Sequence, residues 1–116
     1  MSASDSEIQL LSEALSHQLL NSLILQMNKD FSMCGIESPI SENASPAEIV
    51  NEIHRTLEKL IREDFQGFLN LLYRVDVPES ELLRRKDQDM DEYIASASYL
   101  LLRREWQKVW LRNKIR

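Results

Sequence analysis

Two histidines carry the most suggestive spacing in this chain. Glu13 and His17 lie four apart, as do His54 and Glu58, so on helices each imidazole shares a face with a carboxylate. Two such pairs meeting across neighbouring helices could in principle hold a divalent metal. The Glu-x-x-His spacing of di-iron helical bundles is missing, however. Folding the chain back about the segment between 31 and 46 sets Leu60 opposite His17. The two pairs are then offset by roughly 9 Å at about 1.5 Å per residue. Ordinary boundary histidines with local carboxylate neighbours are expected, and no metal-ligating residue is assigned.

Asp64 is the next candidate, because it falls inside an otherwise apolar stripe. A carboxylate there needs a partner, since desolvation without one raises its pKa. A catalytic acid is one reading; the expected one is structural, with a tyrosine, tryptophan or arginine of a neighbouring helix donating to it. The acidic run from Asp87 to Glu92 superficially looks like a calcium loop. It lacks glycine at the sixth position, and the twelfth is Ser98 where a bidentate glutamate is required. A helix cap is the better reading. The single cysteine, Cys34, excludes an intrachain disulfide, and with only Lys29 nearby it reads as a small residue near a helix end. Glycine-rich phosphate loops, a Ser-His-Asp ordering and cysteine clusters are all missing. The chain is therefore expected not to be an enzyme, with no catalytic or cofactor-binding residue and no cofactor.

The 116 residues suffice for one domain and one core, and the expectation is a single helical-bundle domain over 1–116. Only two glycines and three prolines interrupt a sequence rich in helix formers. Ser4-Asp5-Ser6-Glu7 has the spacing of a capping box, and a first helix is predicted from near Asp5 to about Phe31. Gly35 and Pro39 mark a loop between Cys34 and Asn43. Ser45-Pro46-Ala47-Glu48 signals a second start: a cap, a proline at the first helical position and a glutamate three on. That second helix is predicted to run to Val77-Pro78, with Gly67 marking a bend or a close crossing. A third is predicted from Pro78 to about Lys86, and a fourth after a cap at Asp89 and Glu92. One continuous helix from Pro78 to Arg112 is the competing reading, because Leu82, Met90, Tyr93, Ala97 and Leu100 stay in phase. The fold class is all-α, a small antiparallel bundle of three to four helices.

The first helix is two-faced. Ile8, Leu11, Ala14, Leu15 and Leu19 share one side, whereas Leu20, Leu23, Ile24, Met27 and Phe31 lie roughly 150° away at about 100° per residue. Either the helix is kinked and central, or one apolar side is left for another subunit. Leu20, Ile24, Met27 and Phe31 are the candidate self-association residues, and a homodimer or another protein partner is the expected mode of action.

Charge is unevenly spread. The net charge of −5 conceals −10 over residues 1–99 and +5 over residues 100–116. In the C-terminal segment Leu102, Trp106, Val109 and Trp110 form an apolar stripe, with Arg104, Lys108 and Arg112 beside it. Arg104, Lys108, Arg112 and Trp110 are therefore the candidate surface for an acidic partner, a lipid surface or nucleic acid. Bundle closure and complementation of the helix dipole are the plainer explanation. The acidic remainder of the chain disfavours nucleic acid. No apolar run reaches the roughly 18 residues of a membrane span, and the first residues lack the order of a signal peptide, so a cytoplasmic protein is expected.

The stretch Phe65-Gln66-Gly67-Phe68-Leu69-Asn70-Leu71-Leu72-Tyr73-Arg74-Val75-Asp76-Val77-Pro78-Glu79 resembles a segment of small, uncharacterised all-helical bacterial proteins. The resemblance covers about a tenth of the chain. It implies a helical fold of this size, and no site residue.

Overall fold

In the computed structural model, residues 3–37, 40–83 and 89–115 are described, and all regular structure among them is helical. Six helices follow in order: α1 (Ala3–Ser16), α2 (Leu20–Met33), α3 (Pro46–Glu63), α4 (Phe65–Val75), α5 (Glu79–Leu83) and α6 (Met90–Ile115). The fold is all-α as expected, but the three or four long segments are cut into six. Each cut has a local cause.

The first lies at residues 17–19. Gln18 takes a left-handed backbone with φ of 60°. Its N–H donates to the Leu15 carbonyl at 3.0 Å, and the Leu19 N–H reaches the Ala14 carbonyl at 2.9 Å. This is the Schellman pattern that ends a helix, built without glycine. The turn re-aims the chain, so most of both apolar stripes of residues 5–31 reaches one core, with Leu15 left 55% exposed. Leu11, Ala14, Leu23, Ile24, Met27 and Phe31 are each 0% exposed. A two-faced apolar pattern here is the signature of a broken helix.

The second cut is at Asp64, which closes α3 and caps α4. Its N–H donates to the Leu60 carbonyl at 2.8 Å, and its side chain accepts the Gly67 N–H at 3.0 Å. The expected bend is real but sits three residues before Gly67. The glycine is needed because a Cβ there would collide with the Asp64 carboxylate, lying 2.8 Å from its Cγ. Asp76, with φ of 74°, ends α4 by another left-handed turn. Asp89 caps α6, its carboxylate accepting the Glu92 N–H at 2.8 Å. That cap separates α5 from α6 and rules out one continuous helix from Pro78 to Arg112. Lys86 and Asp87, named above, lie outside the described residues.

The start at Ser45 forms as read. Ser45 Oγ accepts the Glu48 N–H at 3.2 Å, and Glu48 accepts the Ser45 N–H at 2.8 Å. These contacts hold the Glu48 carboxyl below its usual range. Glu7, expected to close a capping box at residues 4–7, is instead fully buried and bonded to other helices; the Ser4 side chain lies outside the described residues.

Helix α6 packs against all five others. Ser96, Ala97 and Ser98 are buried in succession. Such small side chains let neighbouring helices approach from several directions, which a helix with one apolar stripe would not need. One apolar core runs from Leu10 in α1 to Val109 in α6. Ile40 is tucked into it from the loop, where the Asn28 side-chain amide donates to its carbonyl at 2.9 Å.

Candidate functional site

Helix α4 buries one side and leaves an apolar stripe on the other. Phe68, Leu71, Leu72 and Val75 point into the core. Phe65, Leu69 and Tyr73, spaced four apart, run along the opposite side. Tyr73 is 89% exposed and Phe65 48%, with Leu69 half-buried between them. Beside the stripe is an open cleft of about 750 Å³, floored by Leu69, Leu72 and Val77 and rimmed by Tyr73, Asp76 and Glu79. The end of α2 closes on α4 near Asn70, whose carbonyl lies 3.9 Å from Cys34 Sγ. Burial pushes the Cys34 thiol up, with Arg74 opposing and Asp30 reinforcing. It is therefore a protonated, unreactive thiol at neutral pH.

Acids outnumber cations along residues 62–79, where Arg62 pairs with Glu58 at 3.2 Å. Glu63 and Asp64 precede it, and Asp76 and Glu79 follow it, all exposed. Arg74 is the sole cation in the α4 sequence. Its Nε donates to the buried Asp30 at 3.1 Å, so its charge is already matched.

The other candidates are placed as follows. Leu20, Ile24, Met27 and Phe31 are between 0% and 9% exposed and belong to the chain's own core. In this fold their side chains are spent on the chain's own core and offer no exposed surface to a second copy. The basic stripe of α6 is engaged along its length by groups of the same chain. Arg104 reaches Asp76 at 3.4 Å, Lys108 reaches Asp30 at 3.2 Å and Glu105 at 3.3 Å, and Arg112 donates to Gln26 at 2.9 Å. Arg104 and Lys108 thus meet carboxylates of the same chain, while Arg112 is exposed and meets the neutral Gln26. Trp110 and Trp106 are half-buried against α1, where the His17 ring meets Trp110 edge-on at 4.9 Å.

Neither histidine keeps its expected carboxylate. His54 Nε2 donates to Glu7 at 2.9 Å, and Ser98 donates to the other oxygen of the same carboxylate. Glu58 pairs with Arg62 at 3.2 Å instead. The order is serine, carboxylate, histidine. A nucleophile relay needs the imidazole in the middle to take the hydroxyl proton, so this trio satisfies a buried charge and does not activate Ser98. His54 opens on a cleft of about 460 Å³ with Glu58 and Asp91. Among the described residues, no three His, Cys, Asp or Glu side chains come close enough to hold a metal. Asp64 is structural as expected, but as an exposed helix cap; its partner is a backbone N–H, not a neighbouring side chain.

The buried ionisable groups Glu7, Asp30 and Glu105 were missed from sequence. Each had the signal that drew notice to Asp64: Glu7 aligns with Leu11 and Ala14, Asp30 with Met27 and Phe31, and Glu105 with Leu101 and Val109. No helix of the described residues is long and apolar enough to cross a membrane. Compared with known proteins, the chain matches no family model, no curated protein and no solved structure. The resemblance of residues 65–79 therefore carries no family assignment.

Proposed function

We propose that this protein acts by protein–protein contact, and that the outer face of α4 receives a basic amphipathic helical segment of a partner. The observation that carries the reading is the exposed stripe Phe65, Leu69 and Tyr73 on a helix whose other side is fully committed to the core. Aromatic side chains set in apolar clefts are the usual anchors of helix-in-groove binding. The partner's charge follows from the exposed acids Glu63, Asp64 and Glu79 at the ends of the stripe, with Arg74 paired to Asp30 and Asp76 to Arg104. Lysine or arginine flanking its apolar anchors gives complementarity, and acidic segments are repelled.

The test uses a designed leucine–lysine amphipathic helical peptide and its leucine–glutamate counterpart. The lysine peptide is expected to bind, to weaken with salt, and to shift the backbone NMR signals of residues 65–79. Tyr73→Ala should reduce its affinity by about tenfold, as loss of a hot-spot aromatic does, while leaving stability within about 0.5 kcal/mol because the ring is in solvent. Equal binding of both peptides, or shifts confined to other helices, would reject the reading. A salt-resistant species of twice 13.6 kDa that Tyr73→Ala dissociates would assign the face to a second copy instead.

A further inference from the structure

Helices α2, α4 and α6 meet around charges that the α4 surface does not use. Asp30 is 1% exposed and Glu105 0%. Asp30 is well supplied with donors: Arg74 at 3.1 Å, Gln26 at 3.0 Å and Lys108 at 3.2 Å. Glu105 is not. Lys108 Nζ lies 3.3 Å from its Oε1, yet neither carboxyl oxygen receives a hydrogen bond. An ionised carboxylate buried in this way keeps most of its desolvation cost. A neutral Glu105 needs no donor and becomes one, and Lys108 Nζ holds the Asp30 carboxylate beside it, 3.2 Å from Asp30 Oδ2 and 3.3 Å from Glu105 Oε1.

We infer that Asp30 and Glu105 share a single proton in the folded protein, held by Glu105 and donated to Asp30, and that this proton latches the C-terminal half of α6 onto α2. Two carboxyls this close and this dry do not both ionise readily, as in other carboxyl pairs. The electrostatics agree. Burial, then the hydrogen bond and charge of Asp30, push Glu105 up to about 8 against the pull of Lys108. Burial also works to raise Asp30, but the hydrogen bonds from Glu105 and Gln26 and the charge of Lys108 outweigh it and hold Asp30 below its usual value.

The neighbouring charges are accounted for. Helix α2 contributes Asp30, α4 contributes Arg74, and α6 contributes Glu105, Lys108 and, through Gln26, Arg112. Cys34 stays protonated beside them. The charges that α1 and α3 bring to α6, Glu7 and His54, gather at Ser98, two turns earlier, and Glu81 beside α5 pairs with Arg103. Above about pH 8 the shared proton leaves to solvent, and two buried carboxylates then face one ammonium and one guanidinium.

Carboxyl-carbon NMR on the full chain reads the proton directly. One carboxyl of the pair is expected to titrate at least 2 pH units above an ordinary glutamate, and Glu105→Gln should abolish that step. Hydrogen-exchange protection over residues 104–112, corrected for intrinsic rates, should fall about tenfold from pH 7 to 9 in the wild type. It should stay level in Glu105→Gln, whose amide still donates to Asp30. Both carboxyls titrating below pH 5 in the wild-type protein would overturn the inference, and so would equal pH dependence in the two proteins.

Discussion

A methyl group at position 67 tests the junction that splits the second predicted helix. Asp64 accepts the Gly67 N–H at 3.0 Å, and a Cβ on residue 67 would lie 2.8 Å from Asp64 Cγ. Carbon atoms rest about 3.5–4.0 Å apart, so Gly67→Ala must push the carboxylate aside and break the cap. Loss of an aspartate cap costs about 1 kcal/mol. Alanine in place of glycine within a helix returns up to about 1 kcal/mol. The two nearly cancel, and Gly67→Ala alone is expected to be neutral or destabilising by up to about 1 kcal/mol. Asp64→Ala removes both the cap and the obstacle. In that background the same Gly67→Ala should stabilise by up to about 1 kcal/mol, because only the propensity gain remains. The coupling between the two sites is then about 1 kcal/mol, or roughly 4 °C in Tm for a chain of this length. Urea and thermal unfolding of the four proteins, followed by far-ultraviolet circular dichroism, give the cycle. An effect of Gly67→Ala that agrees between the two backgrounds within about 0.3 kcal/mol would refute the close approach of Asp64 to residue 67.

Three further outcomes follow from the packing. The folded protein retains the Glu105 proton between about 4.5, the ordinary glutamate value, and about 8, whereas the unfolded chain has released it. Stability should therefore fall as pH rises through that window, by up to about 5 kcal/mol, and Glu105→Gln should flatten the profile; urea midpoints at pH 5, 7 and 9 check this. Gln18→Gly should stabilise by about 1 kcal/mol, because φ of 60° costs glycine nothing, and a loss of stability on urea unfolding would contradict the left-handed turn. His54→Ala leaves the fully buried Glu7 with Ser98 as its one remaining partner named above and should cost about 3 kcal/mol. Ser98→Ala should cost less, about 1–2 kcal/mol, and equal losses would mean that charge contributes nothing there.

Local signals survived the passage from sequence to structure better than long-range ones. Ser45 and Pro46 start α3 because a capping box needs only neighbouring residues, and Asp89 caps α6 for the same reason. Gln18 was silent, since a non-glycine residue in the left-handed region carries no compositional mark; the two opposed apolar stripes around it were the real signal. They admitted a break as readily as a subunit contact, and the chain uses the break. The basic stripe of α6 was legible as a stripe but not as one already matched. Its partners Asp76, Asp30 and Gln26 come from helices 28 to 86 residues away. The α4 stripe was hidden in a different way. Without the cut at Asp64, Phe65 counts as part of the α3 face, and Tyr73 has no reason to stand apart.

The polar residues of α6 bear on why the bundle has one arrangement. Around Ser96, Ala97 and Ser98 the helix surface is small and fairly smooth, and apolar contacts there would tolerate a slide along the axis at little cost. Ser98 and Glu105 are seven residues apart, about 10 Å along the helix, and each meets a buried carboxylate from a different partner, Glu7 on α1 and Asp30 on α2. A slide of one turn would strand both carboxylates at once, and an unpartnered buried charge costs several kcal/mol. The two anchors thus fix the register of α6 against α1 and α2 in a way the leucines cannot. They differ in how the carboxyl is satisfied. Glu7 is matched by donors from Ser98 and His54, while Glu105 keeps its place by remaining protonated. Raising the pH above about 8 therefore attacks the anchor between α6 and α2, and the C-terminal half of α6 is expected to loosen.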